Sequence, residues 1–548
     1  MSDQRLNFSK ILAGFKKYPK PNRDLEYGTA GFRTKADLLD HVVFRVGVVA
    51  CLRSMQKKKA IGLMITASHN IHSDNGVKIV DPLGDMLEQS WEKFVTDVVN
   101  SGEDSFEEKI MSIIRSNEID TSIDGCLFLG WDTRPSSEHL ASIACEGVSS
   151  LNGTVTKIGL CTTPVLHYVV RCHNDPAYGK ASVDGYYDKL LTSFEKLWAK
   201  FDHIKKCYSP HIYFDGANGV GAITMEYVSG KIGDKIEIDL HNDDIKTPDK
   251  LNHCCGADFV KTQQKLPLSI PAKPCARLVS FDGDADRIMY YFVDPENQFH
   301  LLDGDRMATL IAMFLRQIIQ EAELDVSLGI VQTAYANGSS TKFITETLKV
   351  DVSCVKTGVK YLHHEALKYD IGIYFEANGH GTVIFSQRLK DEIKLKLVSD
   401  NEKITSAATT LSLFVDMVNE TVGDALSDLL IVETILHAKD WDLSEWEKLY
   451  DVLPYQMAKV TVKNRNAITT TDAERRCVTP VELQPKIDEM VSSFKFGRAF
   501  VRPSGTEDIV RVYAEAVTQA EANELALRIS ILVYDLAGGI GERPSLFD

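Results

Sequence analysis

The sequence predicts an α/β protein of several domains with open, mostly parallel sheets. Short apolar runs recur along the 548 residues, and several end abruptly in small and polar residues. Runs of this kind are typical of strands that are buried on both faces. Helical patterns lie between them, as in Asp305–Gln320. Because domains usually contain roughly 100–200 residues, the length predicts three or four of them.

Polar clusters follow the predicted strands. The strands and the residues after them are Ile61–Thr66 before Ala-Ser-His-Asn, Cys126–Gly130 before Trp-Asp-Thr-Arg, Ile212–Phe214 before Asp-Gly-Ala-Asn, Ala276–Phe281 before Asp-Gly-Asp-Ala, Leu328–Thr333 before Ala-Tyr-Ala-Asn, and Ile371–Phe375 before Glu-Ala-Asn-Gly. Ligands of open α/β sheets bind at the carboxyl ends of strands. The clusters are therefore the candidate functional segments.

The C-terminal part has a different pattern. Short strands and one helix at Gln519–Leu536 predict a small α+β domain there. Residues 172–186 read as a linker. We place the boundaries near 181, 300 and 443, which gives domains 1–180, 181–300, 301–442 and 443–548.

Composition excludes several classes of protein. A net charge of −16 disfavours a general nucleic-acid binder, since an acidic surface repels phosphate backbones. No run approaches the ~20 apolar residues of a membrane span. The eleven cysteines contain no Cys-x-x-Cys pair, and the first residues do not resemble a signal peptide. We therefore expect a cytoplasmic protein with no membrane association, and no obligate protein partner is evident.

Three carboxylates stand two residues apart in the segment Asp282, Asp284, Asp286. Carboxylates this close repel one another unless a cation lies among them, and oxygen ligands favour Mg²⁺. A calcium-binding EF-hand loop fails, because it needs glycine and glutamate where Arg287 and Val293 stand. The alternative is a solvated acidic turn, but the preceding strand favours a metal site.

Ser68 lies just after the predicted strand Ile61–Thr66. No Gly-x-Ser-x-Gly motif occurs, which disfavours a serine hydrolase. A serine at a strand end can instead carry a phosphoryl group and divide one transfer into two easier steps. On this observation alone, an ordinary loop residue is the more common role for a serine in such a position. Lys78, a little further on, is a candidate acid, base or phosphate partner.

Two further loops suggest a sugar phosphate as ligand. Residues 502–506 read Arg-Pro-Ser-Gly-Thr and are followed by Arg511, a set of donors suited to phosphate, although a tight hairpin turn is an equal alternative. Residues 376–380 read Glu-Ala-Asn-Gly-His and are suited to hydroxyl recognition and proton transfer. Together with the serine and the carboxylates, these loops predict phosphoryl transfer on a sugar phosphate.

At this point the sequence resembles the α-D-phosphohexomutase superfamily. The segments Thr-Ala-Ser-His-Asn, Asp-Gly-Asp-Ala-Asp-Arg, Glu-x-x-Gly-His and Arg-Pro-Ser-Gly-Thr occur in the family's order, after a matching Tyr-Gly-Thr-Ala-Gly-Phe-Arg opening. The resemblance covers essentially the whole chain. Within the superfamily, the sequence is similar to the eukaryotic subgroup that acts on N-acetylglucosamine phosphate. Asn378 stands where glucose and mannose mutases typically have serine.

The resemblance implies a fold and a reaction. Three related α/β mixed-sheet domains and a smaller C-terminal α+β domain would surround a central cleft. The implied enzyme is a phosphomutase of the isomerase class. It interconverts N-acetylglucosamine 6-phosphate and N-acetylglucosamine 1-phosphate through a phosphoserine and a 1,6-bisphosphate, on the route to UDP-N-acetylglucosamine. One Mg²⁺ per chain and a sugar 1,6-bisphosphate activator are implied.

The resemblance also implies roles for individual residues. Ser68 would carry the phosphoryl group, and Lys78 and His380 would be acid/base candidates. The metal ligands would be Ser68, Asp282, Asp284 and Asp286. The substrate-binding residues would be Arg33, Glu376, Ala377, Asn378, Arg502, Pro503, Ser504, Gly505, Thr506 and Arg511. Arg287 would add positive charge.

The chain departs from the family pattern at Ile71, which replaces a proline after Thr-Ala-Ser-His-Asn. Proline fixes one backbone angle, so we expect a more flexible loop but no lost catalytic group. Three alternatives stay open: a glucose or mannose phosphomutase, a non-catalytic sugar-phosphate-binding paralogue, and a metal-dependent phosphatase.

Overall fold

The computed structural model describes residues 8–28, 30–202, 206–505 and 507–545. Its helices are α1 (Phe8–Lys17), α2 (Asp40–Lys57), α3 (Gln89–Val99), α4 (Glu103–Ser116), α5 (Ser137–Ser149), α6 (Thr163–Asn174), α7 (Val183–Lys200), α8 (Val220–Ile232), α9 (Ala257–Gln263), α10 (Gly304–Glu321), α11 (Gly338–Lys342), α12 (Val359–Ala366), α13 (Gln387–Lys396), α14 (Glu402–Met417), α15 (Ala425–Lys439), α16 (Leu443–Glu447), α17 (Leu483–Ser492) and α18 (Gln519–Ala537). Shorter helical segments lie at Ala36–Leu38, Pro248–Lys250, Phe343–Leu348 and Arg465–Ala467.

The strands alternate with these helices over most of the chain. They are β1 (Phe32–Lys35), β2 (Ile61–Ile65), β3 (Asp74–Val80), β4 (Cys126–Trp131), β5 (Thr154–Leu160), β6 (His211–Asp215), β7 (Glu237–His241), β8 (Arg277–Phe281), β9 (Ile288–Val293), β10 (Phe299–Leu302), β11 (Leu328–Thr333), β12 (Asp351–Val355), β13 (Ile371–Phe375), β14 (Gly381–Phe385), β15 (Tyr455–Thr461), β16 (Thr469–Thr471), β17 (Arg476–Thr479), β18 (Arg498–Pro503) and β19 (Ile509–Glu515).

The first two sheets share one arrangement. Their orders are β1-β3-β2-β4-β5 and β10-β9-β8-β6-β7. In each, two parallel pairings on one side meet two antiparallel pairings on the other. The central strands β2 and β8 are buried along their whole length, whereas the edge strands β5 and β7 contain no fully buried residue. The sheets are therefore mixed, as the resemblance implied. The strand pattern alone had predicted mostly parallel sheets, but half of the pairings in each of these two sheets are antiparallel.

The chain divides into two compact units. Unit 1 contains the residues up to Asp303 together with Asn378–Thr382 and Ser412–Leu443, and unit 2 contains the rest. Unit 1 holds the two five-stranded sheets. The sheets of unit 2 have the orders β12-β11-β13-β14 and β15-β19-β18, and a hairpin joins β16 to β17.

Parallel pairing explains how remote polar clusters meet in unit 1. β2 and β4 run parallel, so the residues after Ile65 and after Trp131 lie at the same edge of the first sheet. β6 and β8 are parallel in the second sheet, which places the residues after Asp215 beside those after Phe281. Each sheet therefore presents loops at one edge, as the sequence predicted.

Most sequence-predicted elements are confirmed. All six apolar runs form strands, and Leu328–Thr333 and Ile371–Phe375 match their predicted bounds. The predicted helix in the C-terminal part extends over Gln519–Ala537. The linker at 172–186 is shorter than predicted, since helices occupy both of its ends. Helix α17 and the β16–β17 hairpin were missed. No helix in the described ranges is both long enough and apolar enough to cross a bilayer.

Candidate active site

Ser68 lies in a buried loop that leaves the end of β2. Its side chain is almost inaccessible, and its φ of 51° is a left-handed conformation that favours glycine. The backbone N–H of Ser68 donates to Thr66 Oγ1 (2.9 Å), and that hydroxyl donates to Asp132 Oδ2 (2.7 Å). A strained backbone at a buried serine is typical of a functional position.

Arg134 stabilises the backbone of this loop through hydrogen bonds. Its guanidinium donates to the carbonyl oxygens of Ser68 (2.8 Å), Asn70 (2.8 Å) and Asp74 (2.9 Å), and also contacts that of Ile71. Asp132 neutralises it, with Nε 2.9 Å from Oδ2. These hydrogen bonds fix the backbone at the segment where the family proline is absent. Whether the loop is more flexible for lack of that proline stays a prediction.

The carboxylate triplet is brought directly to the serine. Ser68 Oγ donates to Asp282 Oδ2 at 2.7 Å. Asp282, Asp284 and Asp286 are all buried, and each offers an oxygen within 4.8 Å of the others. Gly283 permits the approach, since a side chain there would lie 2.6 Å from the Ser68 carbonyl oxygen. The serine and the triplet therefore form one cluster, which we call the serine centre.

The serine centre fits a divalent cation. Asp284 Oδ1 and Asp286 Oδ1 are buried oxygens without a hydrogen-bond partner. A buried acceptor left without a donor is costly, so these oxygens call for a cation. Burial, together with repulsion from Asp286 and Asp284, raises the pKa of Asp282 well above its ordinary value. A bound cation would relieve both penalties.

Lys78, on β3, partly neutralises the centre. Its Nζ lies 3.3 Å from Asp284 Oδ2 and 3.4 Å from Asp286 Oδ2. Burial opposes the charge on Lys78, but Asp284 and Asp286 outweigh it and raise the lysine pKa. Burial likewise opposes the charge on Asp286, but Lys78 and then His380 hold its pKa well below the ordinary value. Lys78 is therefore an ammonium group, able to give a proton or bind an anion.

Two further cations lie at the serine centre. Arg287 Nε is 3.9 Å from Asp282 Oδ2 and 3.8 Å from Asp286 Oδ1. Arg33 donates to Asn70 Oδ1 at 3.4 Å, and its Nε is buried without a partner. Burial, followed by repulsion from Arg287 and Arg33, lowers the pKa of His69 to about 2. His69 is therefore neutral, with Nδ1 3.4 Å from Ser68 Oγ.

His380, from the predicted sugar-binding loop at residues 376–380, lies beside the serine centre. Its Nδ1 is 3.5 Å from Asp286 Oδ1, and its Nε2 is buried without a hydrogen-bond partner. The backbone N–H of His380 donates to Asn378 Oδ1 (3.1 Å). Gly423 packs against the imidazole, where a side chain would lie 2.8 Å from the ring. The loop is divided after Ala377, so Glu376 and Ala377 belong to unit 2.

Unit 2 contains the predicted phosphate loop. Arg502 on β18 lies directly opposite Arg511 on β19, and Lys459 on β15 lies opposite Arg511 on its other side. Cross-strand neighbours share a face of the sheet, so like charges stand in a row. Arg511 Nε is buried without a partner, whereas Arg502 Nε donates to Glu474 (3.0 Å). We call Arg502, Arg511 and Lys459 the cation row.

The turn after the cation row is partly described. The Ser504 N–H donates to the Ile509 carbonyl oxygen (2.8 Å), and Ser504 is buried. Pro503 ends β18, and Gly505 is exposed with open space around it. Thr506 lies outside the described residues. A like-charged row beside a turn rich in donors suits a phosphate group.

Sequence reasoning missed several residues that position the serine centre. Arg134 and Asp132 stand in the polar cluster after β4, which was noted only as a segment. Thr163 was not noted, yet its hydroxyl donates to Asp284 Oδ2 (2.7 Å) and its N–H to the Asp284 carbonyl oxygen (3.1 Å). Asn252 donates to the Ser68 and Asn70 carbonyl oxygens (both 2.9 Å). The cluster after β4, beside β2, was the available signal for Arg134.

Four family models match parts of the chain. "Phosphoacetylglucosamine mutase AMG1, domain II" matches residues 177–289, and "domain III" matches 303–441. The "phosphoglucomutase/phosphomannomutase, alpha/beta/alpha domain I" model matches 40–106 and 102–182, and the "C-terminal domain" model matches 457–531. The human phosphoacetylglucosamine mutase is 49% identical over 529 residues, which cover 96% of this chain and 97% of the human protein.

The chain belongs to the phosphoacetylglucosamine mutase family.

Solved structures agree with this assignment. The product complex of an N-acetylglucosamine-phosphate mutase is 45% identical with a TM-score of 0.92, and the match covers 97% of this chain and 99% of that one. The Aspergillus fumigatus N-acetylphosphoglucosamine mutase in complex with GlcNAc-6P and magnesium is 41% identical with a TM-score of 0.92 and the same coverages. The resemblance and the α/β phosphohexomutase fold expected from the sequence are confirmed.

Proposed function

We propose that this chain is a phosphomutase that interconverts N-acetylglucosamine 6-phosphate and N-acetylglucosamine 1-phosphate. The observation that carries the proposal is the hydrogen bond from Ser68 Oγ to Asp282 Oδ2, inside a buried carboxylate triplet. A hydrolase would need water at this serine, whereas the buried, cation-lined loop suits transfer of a phosphoryl group. We place the reaction on the route to UDP-N-acetylglucosamine.

The serine centre would hold one Mg²⁺ through Asp282, Asp284, Asp286 and Ser68. The support for this proposal is the buried carboxylate triplet, in which Asp284 Oδ1 has no hydrogen-bond partner. When bound, the ion neutralises charge on phosphoryl oxygens. Arg134 and Asn252 hold the serine backbone, and Lys78 and Arg287 supply positive charge around it.

The proposed chemistry consists of two transfers. In the first, the bond between phosphorus and Ser68 Oγ breaks, phosphorus bonds to a sugar hydroxyl oxygen, the proton of that hydroxyl goes to a base, and Ser68 Oγ gains a proton as it leaves. His380 is our candidate base, since its Nε2 is buried and unpaired. In the second, the other phosphoryl group of the 1,6-bisphosphate moves to Ser68 Oγ, which gives up its proton, and the sugar oxygen that the phosphoryl group leaves gains a proton. Lys78 is our candidate acid because its ammonium group lies beside the serine centre, with Nζ 3.3 Å from Asp284 Oδ2.

Other residues would recognise the substrate. Glu376 and Asn378, with Ala377 between them, would bind the sugar, and Arg33 would add charge. Arg502, Pro503, Ser504, Gly505, Thr506 and Arg511 would bind the phosphate that does not react. The unpaired Arg511 Nε supports this role. Holding a phosphate rather than the ring would serve both orientations of the sugar.

We also propose a cytoplasmic protein that works without an obligate protein partner. All eleven cysteines are free thiols, as expected in a reducing compartment. Its partner would be the sugar phosphate itself. A sugar 1,6-bisphosphate would prime Ser68.

The test is a coupled assay for N-acetylglucosamine 1-phosphate. The full chain receives N-acetylglucosamine 6-phosphate, Mg²⁺ and a catalytic amount of glucose 1,6-bisphosphate, and glucose 1-phosphate is assayed in parallel. We expect the acetylated sugar to be preferred and Ser68→Ala to abolish turnover. Ser492→Ala, at an exposed serine, is the matched control and should retain full activity.

Each of the other possible results would support one of the alternative functions. Preference for glucose 1-phosphate would keep the mechanism and overturn the substrate. Release of inorganic phosphate in place of the isomer would indicate a phosphatase. Ligand binding with no turnover would indicate a non-catalytic paralogue, and Ile71→Pro would then show whether the missing proline is responsible.

A further inference from the structure

The β16–β17 hairpin of unit 2 carries an acidic residue, Glu474, at its tip. The tip backbone is strained, since Asp472, Ala473 and Glu474 have φ values of 51°, 53° and 68°. These left-handed conformations are costly for residues other than glycine and persist only where surrounding contacts hold them. Strain of this kind is often found at ligand-binding sites. The contacts of Glu474 therefore bear on function as well as on the shape of the hairpin.

The carboxylate of Glu474 joins two separate parts of unit 2. Its Oε1 accepts from Arg502 Nε at 3.0 Å. Its Oε2 accepts from the backbone N–H of Thr357 at 2.9 Å and from the Thr357 hydroxyl at 2.6 Å. The side chains of the ion pair are largely buried, with 14% of Glu474 and 17% of Arg502 exposed. Glu474 therefore ties the cation row to the segment that precedes α12.

Glu474 holds its arginine differently from other carboxylates of this chain. Three arginines turn both Nε and Nη2 towards the two oxygens of one carboxylate, in the pairs Arg53–Asp81, Arg498–Glu515 and Arg543–Asp535. Glu474 takes only Nε of Arg502, because Thr357 occupies its other oxygen. Both Nη groups of Arg502 therefore stay outside the ion pair.

The ion pair does not cancel the charge of the cation row. Within the described ranges, Glu474 is the acidic residue that pairs with the row, and it pairs with Arg502 alone. The Tyr335 hydroxyl lies near Arg502 and Arg511, but it is neutral because burial raises its pKa. One carboxylate beside three cations leaves a net positive charge. The row can thus still attract an anion while one of its guanidinium groups is held in place.

We propose that Glu474 is a positioning residue for the phosphate site of the cation row. It fixes Arg502 through Nε, so that the two Nη groups can donate to two oxygens of the phosphate that does not react. Ordering a long side chain costs free energy on binding, and an arginine that is already held avoids that cost. The inference rests on the function proposed above, since it takes Arg502 as a phosphate ligand.

Isothermal titration calorimetry with N-acetylglucosamine 6-phosphate and Mg²⁺ tests the proposal. The full chain carries Ser68→Ala, so that no phosphoryl transfer follows binding. Glu474→Gln keeps the size of the side chain but loses one of its two acceptor oxygens. Its Kd should rise about two- to tenfold, the cost of ordering one long side chain. An unchanged Kd would overturn the proposal, and a lower Kd would do so by showing that the carboxylate competes with the phosphate.

Asp472→Asn is the matched control for the hairpin. Asp472 lies at the same strained tip and pairs with Arg475, and both side chains are well exposed. The substitution removes one carboxylate charge, as Glu474→Gln does, but touches no residue of the cation row. Its Kd should stay the same. An equal rise in Kd for both variants would overturn the proposal, because it would trace the effect to the hairpin and not to Arg502.

A double-mutant cycle separates positioning from support of the fold. Arg502→Met should raise Kd, and Glu474→Gln added to it should cause no further weakening, because Glu474 acts through Arg502. Further weakening of the same size would show a structural role and overturn the proposal. An unchanged Kd in Arg502→Met would contradict the phosphate site itself, whereas failure of Glu474→Gln alone would leave that site standing.

Thr357→Val keeps the test decisive if Glu474→Gln fails to fold. It leaves both charges in place and removes only the hydroxyl contact with Glu474, so Kd should rise by about twofold. In the chain with Ser68 restored, KM should rise in step with Kd while kcat changes little, because the phosphate held here does not react. A fall in kcat with no rise in KM would overturn the proposal.

Discussion

The serine centre and the cation row are both suited to phosphate chemistry, but they arrange their charges in opposite ways. In the serine centre, opposite charges lie close together and buried, as between Lys78 and Asp284 at 3.3 Å. In the cation row, like charges stand on neighbouring strands, and Arg511 lies between Arg502 and Lys459. The first region pairs opposite charges with one another, whereas the second places like charges side by side, and of these Arg502 is paired with Glu474.

Burial accounts for the difference. A buried charge must be paired, because leaving it alone costs several kcal/mol. The residues of the serine centre therefore constrain one another, and each substitution there should affect both folding and activity. Arg502 and Arg511 are half-buried, Lys459 is exposed, and solvent screens their repulsion. Substitutions in the cation row should therefore change ligand affinity and leave stability nearly unchanged.

Asp284→Asn tests the serine centre where the expected effect is largest. Asparagine keeps the shape and the contact with Thr163, but removes a charge from the proposed metal ligands. We expect kcat to fall on the order of a thousandfold, about 4 kcal/mol, since a metal contributes several kcal/mol to charge stabilisation. Asp97→Asn, in an exposed ion pair, is the control. A fall of less than tenfold would contradict the metal assignment.

Arg134→Met tests whether the serine backbone depends on one guanidinium. The substitution leaves Asp132 buried without its counter-ion, which costs about 3–5 kcal/mol of unfolding free energy. Urea unfolding measures that loss, and kcat should fall with it because four carbonyl contacts to the loop disappear. Arg134→Lys keeps the positive charge but not the planar guanidinium group with its several donors. Compared with Arg134→Met, it should therefore recover more of the stability than of kcat. Full activity in Arg134→Met would show that the loop holds itself.

Acid should weaken unit 1 more than unit 2. Burial, helped by Arg45 and Lys20, lowers the pKa of His41 to about 4, and burial lowers that of His167 to about 4 as well. Unit 2 has His363 with the same value. Because these folded-state pKa values lie below the ordinary 6.5, the unfolded chain binds more protons between pH 6.5 and 4, and stability falls as the pH falls.

Hydrogen exchange at pH 7 and pH 5, corrected for intrinsic rates, measures this difference. We expect each of these histidines to cost up to about 2 kcal/mol at pH 5. His167→Gln should remove part of the loss in unit 1. His139→Gln, at an exposed histidine, should change nothing. Equal loss of protection in both units would contradict the expectation.

Arg511→Gln tests the cation row, where the effect should be confined to binding. Hydrogen bonds to charged groups contribute about 1.5–3 kcal/mol, so KM should rise by about tenfold or more. The melting temperature should stay the same or rise slightly, because a like charge has been removed. Lys459→Gln, at the exposed end of the row, should raise KM less. A large loss of stability in Arg511→Gln would show that the two regions are not different in kind.

The sequence predicted the parts of this fold that depend on local pattern. The apolar runs Leu328–Thr333 and Ile371–Phe375 became strands with the predicted bounds, because residues buried on both faces leave an unambiguous signal. The Asp triplet and Ser68 were also found, since each follows such a strand. Helix α17 and the β16–β17 hairpin were missed, because short and largely exposed elements carry little apolar periodicity.

By itself, the sequence determined which chemical groups this protein has and the strand ends at which they stand. Only the tertiary structure decided which of them meet. Ser68 and Asp282 are 214 residues apart, and Thr163 reaches Asp284 across 121. Contacts of this range depend on sheet order and side-chain packing, which no local pattern encodes. The same reason separates Arg134, whose three guanidinium nitrogens all donate hydrogen bonds, from Arg45, whose Nη1 donates to two carbonyl oxygens while Nε and Nη2 have no hydrogen-bond partner.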